Sequence, residues 1–132
     1  MYTYSYSVKM FDTDASGFLF VGSQVRMAHE AFESFMESAG MGIAQILRAS
    51  DYSLPIVRAE TDYKAPSRVG DRLVIEMSAE RIGSTSFTLV YRILTEAGED
   101  VGGAKTVHVA VERSSRKPVS LPEDLRAAIK SL

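Results

Sequence analysis

The first ten residues alternate between polar side chains and bulky apolar or aromatic ones. Tyr2, Tyr4, Tyr6, Val8 and Met10 fall on one side of this alternation. A period of two is typical of a strand that buries one face. The pattern therefore predicts a first strand over this stretch, with these five side chains on its buried face.

A long amphipathic helix is predicted next, from Ser23 to Ala39. Apolar side chains recur there at three- and four-residue spacing, while charged side chains take the other faces, which is typical of a helix with one buried stripe. The stripe consists of Val25, Met27, Ala28, Ala31, Phe32, Phe35 and Met36. Ser23 is the predicted N-cap of this helix, and Gly40 is the predicted stop at its carboxyl end.

A second, shorter helix is expected over residues 43–49, after which the chain changes to strand chemistry. Stretches rich in β-branched and aromatic residues follow, separated by turn signals that contain glycine, proline or serine. These stretches are Leu54 to Tyr63, Arg72 to Ile82, Ser86 to Thr95 and Gly103 to Glu112. Because the links between them are short, we expect antiparallel pairing. A last short helix is predicted from Pro122 to Ile129.

One long helix in a run of strands has to cover a single sheet face, which predicts an α+β domain. The 132 residues are 45% hydrophobic and 24% charged, which suits one compact domain over residues 1–132. A net charge of -2 offers no basic surface for nucleic acid. The absence of cysteine excludes disulfides and thiolate metal ligands, and two distant histidines do not suggest a metal site.

No segment combines the length and apolarity of a signal peptide or a membrane span, so we expect a cytoplasmic protein that does not bind membranes.

Candidate chemistry is concentrated in the loop before the long helix, Asp12-Thr13-Asp14-Ala15-Ser16-Gly17. The loop places two carboxylates ahead of a helix whose first amides have no partner within the helix. This arrangement suits a carboxylate that acts on an atom whose developing negative charge is held by backbone N–H groups. Aspartate and glycine also dominate ordinary turns, and the spacing alone favours a plain turn.

The order of strand, DTDxxG loop, long helix and antiparallel strands resembles the hotdog-fold acyl-CoA thioesterases of the 4-hydroxybenzoyl-CoA type. The resemblance runs from Val8 to Pro122, and its strongest motif is Phe11-Asp12-Thr13-Asp14-Ala15-Ser16-Gly17. Within that family, Met27 to Phe35, Leu54 to Val57 and Ala65 to Leu73 are similar to the 1,4-dihydroxy-2-naphthoyl-CoA thioesterases, which release the naphthoate precursor of phylloquinone or menaquinone.

The resemblance implies an α+β hotdog fold, in which an antiparallel sheet wraps around one long central helix. It also implies a homo-oligomer, either a dimer or a dimer of dimers, because two subunits of the family pair to form the active sites between them. No cofactor is expected, since coenzyme A is part of the acyl-CoA substrate.

The resemblance further implies that Asp14 is the catalytic carboxylate, either as the nucleophile or as the general base for a water. The backbone N–H of Val21 would polarise the thioester oxygen, and Gly17 would let the chain approach the substrate closely. Asp12 is expected to shape the loop by hydrogen bonding nearby amides. His29 is expected to be a hydrogen-bonded core residue, with an accessory role toward a substrate hydroxyl or water as the alternative.

Substrate contacts are assigned on the same basis. Phe18, Phe20 and Tyr63 are candidates for the acyl pocket, while Arg81 and Ser84 are candidates for contact with the nucleotide of coenzyme A. His108 alternates with strand valines and is assigned no function.

One departure from the family concerns the helix entry. Many relatives carry a His/Tyr-x-Asn-Tyr element where this chain has Val21-Gly22-Ser23-Gln24. Polarisation of the substrate at that point would then depend on backbone amides.

The leading expectation is hydrolysis of an aromatic acyl-CoA thioester, with 1,4-dihydroxy-2-naphthoyl-CoA as the first candidate. One alternative is a thioesterase for aliphatic acyl chains or for chains attached to carrier protein. Another is a non-enzymatic domain that binds an acyl or aromatic ligand, which the altered element at Val21 to Gln24 makes conceivable.

Overall fold

The structure, a computed structural model, describes residues 1–132. The strands are β1 (Tyr2–Ser7), β2 (Tyr52–Ser53), β3 (Ile56–Tyr63), β4 (Arg72–Ile82), β5 (Ser86–Thr95), β6 (Asp100–Val109) and β7 (Val111–Glu112). The helices are α1 (Ser23–Ser38), α2 (Ile43–Ala49) and α3 (Glu123–Lys130), and a 3₁₀ helix covers Met10–Asp12. No helix is long and apolar enough to cross a membrane.

Five strands form one antiparallel sheet in the order β1-β4-β5-β6-β3. The strands β2 and β7 make a separate two-stranded sheet. Strand β3 is an edge of the larger sheet, and every residue of it except Thr61 is exposed. Ile56 of β3 is opposite His108 and Tyr63 is opposite Gly102, which defines the two ends of the sheet used below.

The core lies between α1 and one face of the sheet. Six residues of the predicted apolar stripe of α1 are buried, while Val25 is half-buried. They meet alternate residues of the central strands, as the period of two requires. These strand residues are Leu73, Ile75, Met77, Phe87, Leu89, Tyr91 and Ile93. The predicted α+β arrangement, with one long helix over an antiparallel sheet, is confirmed.

Hydrogen bonds that involve tyrosine hydroxyls align β1 along α1. Alternate strand residues are about 6.7 Å apart, which nearly matches the roughly 6 Å between helix residues four positions apart. The tyrosine hydroxyls therefore reach successive turns of the helix: Tyr2 contacts Ser34 at 2.8 Å, Tyr4 donates to Glu30 at 2.8 Å, and Tyr6 accepts from Arg26 at 3.3 Å. Burial and the Glu30 carboxylate raise the pKa of Tyr4 to about 12.

The prediction for the first strand is wrong at its end. The strand stops at Ser7 and the chain turns into the 3₁₀ helix, which leaves Met10 79% exposed. Val8 stays buried beyond the strand. The period of two does not reveal this turn, because its cause lies in contacts of the following loop.

The ends of α1 were predicted with one error. Gly22 is the N-cap, while Ser23 is the first helical residue and uses its hydroxyl to donate to the Asp12 carbonyl at 2.8 Å. Gly40 follows the C-cap Ala39 and has a φ of +74°, which confirms the predicted stop, since glycine adopts this left-handed conformation without strain.

Candidate active site

Asp14 lies in a tight turn. Its Oδ1 accepts hydrogen bonds from the Ser16 backbone N–H at 2.8 Å and from the Ser16 hydroxyl. The N–H of Gly17, whose φ is +81°, donates to the Asp14 carbonyl at 3.0 Å. Because donors stabilise the charged form, the bonds from Ser16 hold the pKa of the exposed Asp14 carboxyl below its usual range. The turn thus presents an ionised carboxylate.

Asp12, two residues earlier, has the opposite environment and is completely buried. Its Oδ2 accepts from the Tyr6 hydroxyl and the Lys9 backbone N–H, both at 2.8 Å, and its Oδ1 pairs with Arg26. Its carbonyl accepts from the Phe20 N–H at 2.8 Å. Asp12 therefore connects β1, the loop and α1, which is a broader version of the expected hydrogen bonding to amides.

The start of α1 supplies free backbone donors. Neither the Val21 N–H nor the Gly22 N–H donates to an acceptor in the protein. The Val21 carbonyl accepts from the Tyr63 hydroxyl, which connects the helix start to the end of β3. Free amides at the positive end of a helix dipole favour an oxygen that carries or develops negative charge.

Asp14 and Val21 line the same cleft, which has a volume of about 440 Å³. Its other lining residues are Phe18, Leu19, Tyr63, Lys64, Ala65, Pro66 and Ser67. The cleft therefore joins a carboxylate, an unpartnered amide and an apolar wall. This combination can hold an acyl group, polarise its carbonyl oxygen and place a carboxylate beside the carbonyl carbon.

The predicted aromatic residues are placed differently from one another. Phe18 and Tyr63 line the cleft. Phe20 does not line it, is 50% exposed, and has its ring beside Gly22, where an added Cβ would be 3.3 Å from the ring. Gly17 shapes the turn without lining the cleft.

The predicted nucleotide contacts are not in this cleft. Arg81 and Ser84 lie at the β4–β5 turn, beside the end of the sheet where Ser86 pairs with Val109. Arg126 of α3 donates to the Ser84 carbonyl at 3.2 Å and so holds this turn. Within one subunit, Arg81 and Ser84 are therefore at the opposite end of the sheet from Asp14.

His29 is also separate from Asp14. It lines a second cavity of about 270 Å³, which α2 and the residues before β3 enclose. Its Nε2 is 3.1 Å from Glu33 and its side chain is 37% exposed, so it is at the rim of the core and not inside it. His108, whose ring is nearly parallel to that of His29 with centroids 6.4 Å apart, is fully buried.

Sequence reasoning missed Gln24, which is buried at the first turn of α1. Its Nε2 contacts the Thr61 hydroxyl at 2.6 Å, the Asp62 carbonyl at 2.7 Å and the Gly103 carbonyl at 2.9 Å. These contacts join the helix start to β3 and β6. A glutamine inside an apolar stripe was a signal for such a role, since buried amides need partners.

Two cations at the cleft mouth also matter. Lys64 lines the cleft and pairs with Asp100 at 2.8 Å. The Arg68 guanidinium stacks over the Phe18 ring at 4.9 Å. Arg68 was among the basic residues visible in the sequence, but its proximity to Phe18 depends on the fold. No group of three or more His, Cys, Asp or Glu side chains is arranged to hold a metal ion.

Residues 8–129 match a protein-family model described as the thioesterase-like superfamily. The match covers almost the whole chain. The chain belongs to this superfamily. The relation is consistent with the geometry at Asp14 and Val21, which is suited to acting on a carbonyl group.

Curated relatives are similar over nearly their full length. A 1,4-dihydroxy-2-naphthoyl-CoA hydrolase from Rippkaea orientalis is 32% identical, with 99% of this chain and 96% of the relative covered. The corresponding hydrolase from Synechocystis is also 32% identical, with 97% of this chain and 94% of the relative covered.

Solved structures agree with this relation. The crystal structure of a 1,4-dihydroxy-2-naphthoyl-CoA thioesterase from Synechocystis superposes with a TM-score of 0.93 at 32% identity, covering 99% of this chain and 96% of that one. A DHNA-CoA thioesterase from Staphylococcus aureus, at 16% identity, has a TM-score of 0.89 and supports the fold alone. The expected hotdog fold of the thioesterases is therefore confirmed.

Proposed function

We propose that this thioesterase hydrolyses an aromatic acyl-CoA thioester, and that its substrate is 1,4-dihydroxy-2-naphthoyl-CoA. The observation that carries the proposal is the shared cleft of the ionised Asp14 carboxylate and the unpartnered Val21 N–H. The names of the relatives that are 32% identical support the choice of acyl group. The product would be a dihydroxynaphthoate, a precursor in quinone biosynthesis.

The reaction requires a charge on Asp14 and a donor for the carbonyl oxygen. In one route Asp14 attacks the carbonyl carbon, the carbon–sulfur bond breaks, coenzyme A leaves as thiolate, and water then hydrolyses the mixed anhydride. In the other route Asp14 takes a proton from a water that attacks the same carbon, the carbon–sulfur bond breaks, and the departing thiolate takes up that proton from Asp14. In both, the Val21 N–H stabilises the developing oxyanion.

No cofactor takes part in this proposal, because coenzyme A arrives with the substrate. Lys64 and Arg68 at the cleft mouth offer positive charge to its phosphates. Within one subunit, Arg81 and Ser84 are too far from the cleft to contact the nucleotide of a CoA substrate bound there. They could contact it only as part of the β4–β5 turn of a second subunit.

We propose further that two subunits pair through their β3 edges. The strand is an edge of the sheet with unpaired backbone groups, and it is exposed along nearly all its length. Proteins normally cover or pair such an edge. An antiparallel pair with its two-fold axis at Ala59 places Arg58 of each subunit opposite Glu60 of the partner subunit, which complements charge. The same pairing brings the Ile56 end of one strand to the Tyr63 end of the other.

This pairing has a consequence for the site. The second cavity is at the Ile56 end and the Asp14 cleft is at the Tyr63 end. Each cleft then faces the cavity of the partner, and the two together accommodate a longer acyl group than either does alone.

A thiol-release screen tests the function. Purified protein is given 1,4-dihydroxy-2-naphthoyl-CoA, 4-hydroxybenzoyl-CoA, a medium-chain aliphatic acyl-CoA and an acyl-carrier-protein thioester, and the free thiol is measured. The proposal requires the highest kcat/KM on the naphthoyl substrate. A higher value on the aliphatic or carrier-bound substrates contradicts it, and retention of the naphthoyl thioester without thiol release indicates a binding domain.

A further inference from the structure

The start of α1 has two consecutive backbone N–H groups without an acceptor in the protein, those of Val21 and Gly22. The Ser23 N–H donates to the Phe20 carbonyl at 3.0 Å, and Gly22 has a φ of -80° and a ψ of -16°. These are the hydrogen bond and the angles of a type I turn, which resembles one turn of a 3₁₀ helix. The two free N–H groups therefore point the same way, out of the start of the helix.

Each of these free N–H groups belongs to a peptide whose carbonyl accepts a hydrogen bond. The Phe20 carbonyl shares a peptide with the Val21 N–H and accepts from Ser23. The Val21 carbonyl shares a peptide with the Gly22 N–H and accepts from the Tyr63 hydroxyl. Because a trans peptide is planar, a bond that fixes the carbonyl oxygen also fixes the direction of the N–H on the opposite side. Such a bond also polarises the N–H, since linked hydrogen bonds strengthen one another.

The polar side chains of the helix entry are already occupied by other partners. The Ser23 hydroxyl donates to the Asp12 carbonyl at 2.8 Å. The Gln24 side-chain nitrogen contacts acceptors on β3 and β6. Tyr63 is therefore the only side chain that bonds to the peptides of the two free N–H groups. Any control of those donors by a side chain depends on the Tyr63 hydroxyl.

Tyr63 is suited to this task because the end of its strand is fixed. On one side of it, the Asp62 carbonyl accepts from Gln24 at 2.7 Å. On the other side, the Lys64 N–H donates to the Val101 carbonyl at 3.0 Å. A hydroxyl carried on such a rigid base can hold a peptide of the helix start in one orientation.

The Tyr63 hydroxyl is a neutral donor. A carbonyl oxygen only accepts hydrogen bonds, so the hydroxyl proton lies toward Val21. Burial raises the pKa of this hydroxyl, with Thr61 opposing the effect, and the proton therefore stays in place at neutral pH. No phenolate charge opposes an oxyanion that forms near the amides.

We propose that Tyr63 is a positioning residue for the reaction, whose hydroxyl holds and polarises the peptide between Val21 and Gly22, so that the Gly22 N–H joins the Val21 N–H as a second donor to the developing oxyanion. The inference rests on the proposed function, because Tyr63 and Val21 line the same cleft as the catalytic carboxylate. Donors that are oriented before the reaction stabilise the transition state without the cost of turning toward the charge.

Two variants isolate the hydroxyl. Tyr63→Phe keeps the aromatic ring that lines the cleft and removes only the donor to the Val21 carbonyl. Tyr52→Phe is the matched control, because Tyr52 is half-buried on β2 and does not line the cleft. Circular dichroism and the elution volume of each variant establish that it is folded and assembled like the wild type.

The first readout separates kcat from KM for 1,4-dihydroxy-2-naphthoyl-CoA. Tyr63→Phe should lower kcat about tenfold, the effect of one hydrogen bond, while KM stays within about twofold of the wild type. Tyr52→Phe should keep both values. A hydroxyl that binds the substrate directly would raise KM, and one that only supports the fold would lower the stability at unchanged kcat. Either of these results overturns the proposal.

The second readout is the carbonyl stretch of a bound thioester, measured by infrared difference spectroscopy. The Asp14→Asn variant is loaded with 4-hydroxybenzoyl-CoA that carries an isotope label at its carbonyl carbon. Donors at the carbonyl oxygen should shift the band to lower wavenumber than in solution, and adding Tyr63→Phe should reverse part of that shift. An identical shift with and without the Tyr63 hydroxyl overturns the positioning role.

The two readouts also distinguish this inference from the proposed function. If the wild type releases thiol from aryl-CoA while Tyr63→Phe leaves kcat and the carbonyl band unchanged, the function stands and the role of Tyr63 is wrong. If the wild type releases no thiol and the bound carbonyl shows no shift, the proposed function and the role of Tyr63 both fail.

Discussion

At the scale of single residues, Asp12 and Asp14 show how position decides the chemistry of one side chain. Asp12 is buried and its carboxylate is occupied by Tyr6, Lys9 and Arg26. Asp14 is exposed, and its carboxylate accepts side-chain and backbone hydrogen bonds from Ser16 alone. Spacing alone did not separate the two, since the partners of Asp12 come from distant parts of the sequence; the family resemblance selected Asp14.

Ser16 sets the pH range in which Asp14 is ionised. Its two hydrogen bonds favour the carboxylate, so they lower the pKa of Asp14, and activity that needs the carboxylate falls only when the pH drops below that lowered value. Ser16→Ala removes the hydroxyl bond and should move the acidic limb of the kcat/KM profile to higher pH. An acidic limb at the same pH in Ser16→Ala contradicts this role.

His108 makes the stability of the fold depend on pH. Its pKa is about 4 in the native state against about 6.5 when unfolded, so between these values the unfolded chain binds more protons. The free energy of unfolding should therefore fall as the pH drops from 6.5 toward 4, by about 3 kcal/mol from this group.

Denaturant unfolding at several pH values measures this effect. His108→Phe should lack the decrease over that range, because phenylalanine stacks on Phe87 and does not titrate. His29→Asn should keep most of it, since burial is the first cause of the shift. A decrease of the same size in His108→Phe contradicts the assignment.

At the scale of the elements, turn signals predicted some bounds to the residue. The structure has α2 at Ile43–Ala49, β4 at Arg72–Ile82 and β5 at Ser86–Thr95, as expected. Strand β6 begins at Asp100, before the predicted start at Gly103. It therefore includes Gly102, although glycine usually signals a turn. An added Cβ there would be 2.4 Å from the Asp62 carbonyl and 2.6 Å from Gln24, so close packing explains this glycine.

Gln24 joins three elements at the helix start, and its loss should affect both stability and catalysis. Gln24→Leu removes the donor to the Thr61 hydroxyl and to the Asp62 carbonyl, and leaves the Gly103 carbonyl with the Thr61 hydroxyl as its side-chain donor, which should cost about 1–3 kcal/mol of the free energy of unfolding. Because Val21 is in the adjacent turn, kcat should fall as well. Gln45→Leu, at an exposed position of α2, is the matched control.

Chemical unfolding and steady-state kinetics together check the effect of Gln24→Leu. A stability and a kcat equal to those of Gln45→Leu would show that the helix start does not depend on this amide.

At the scale of the whole molecule, the Asp14 cleft and the second cavity lie at opposite ends of the sheet in one subunit. The sequence and its resemblance predicted the Asp14 cleft, since its motif lies in one short loop. The second cavity was not predicted, because it combines residues of α1, of α2 and of the segment before β3, which are distant from one another in the sequence. Arg81 and Ser84 are likewise remote from Asp14 in one subunit.

Mixing two inactive variants tests the proposed pairing of subunits. Asp14→Asn disables the cleft, and Ser53→Trp fills the second cavity. If each site combines the cleft of one subunit with the cavity of its partner, a mixed dimer contains one site in which both parts are intact. Co-refolded protein should therefore regain thiol release that neither variant has alone. No recovery, with mixed dimers verified by mass spectrometry, contradicts a shared site.

The central claim is that the Asp14 carboxylate performs the chemistry beside the free amide at the start of α1. The most direct measurement is the rate of thiol release from 1,4-dihydroxy-2-naphthoyl-CoA by Asp14→Asn, compared with Asp124→Asn, which alters another exposed aspartate that accepts a backbone N–H, on α3. The account predicts that Asp14→Asn loses thiol release while keeping its fold and oligomeric state, and that Asp124→Asn retains it. Wild-type rates in Asp14→Asn would contradict the account.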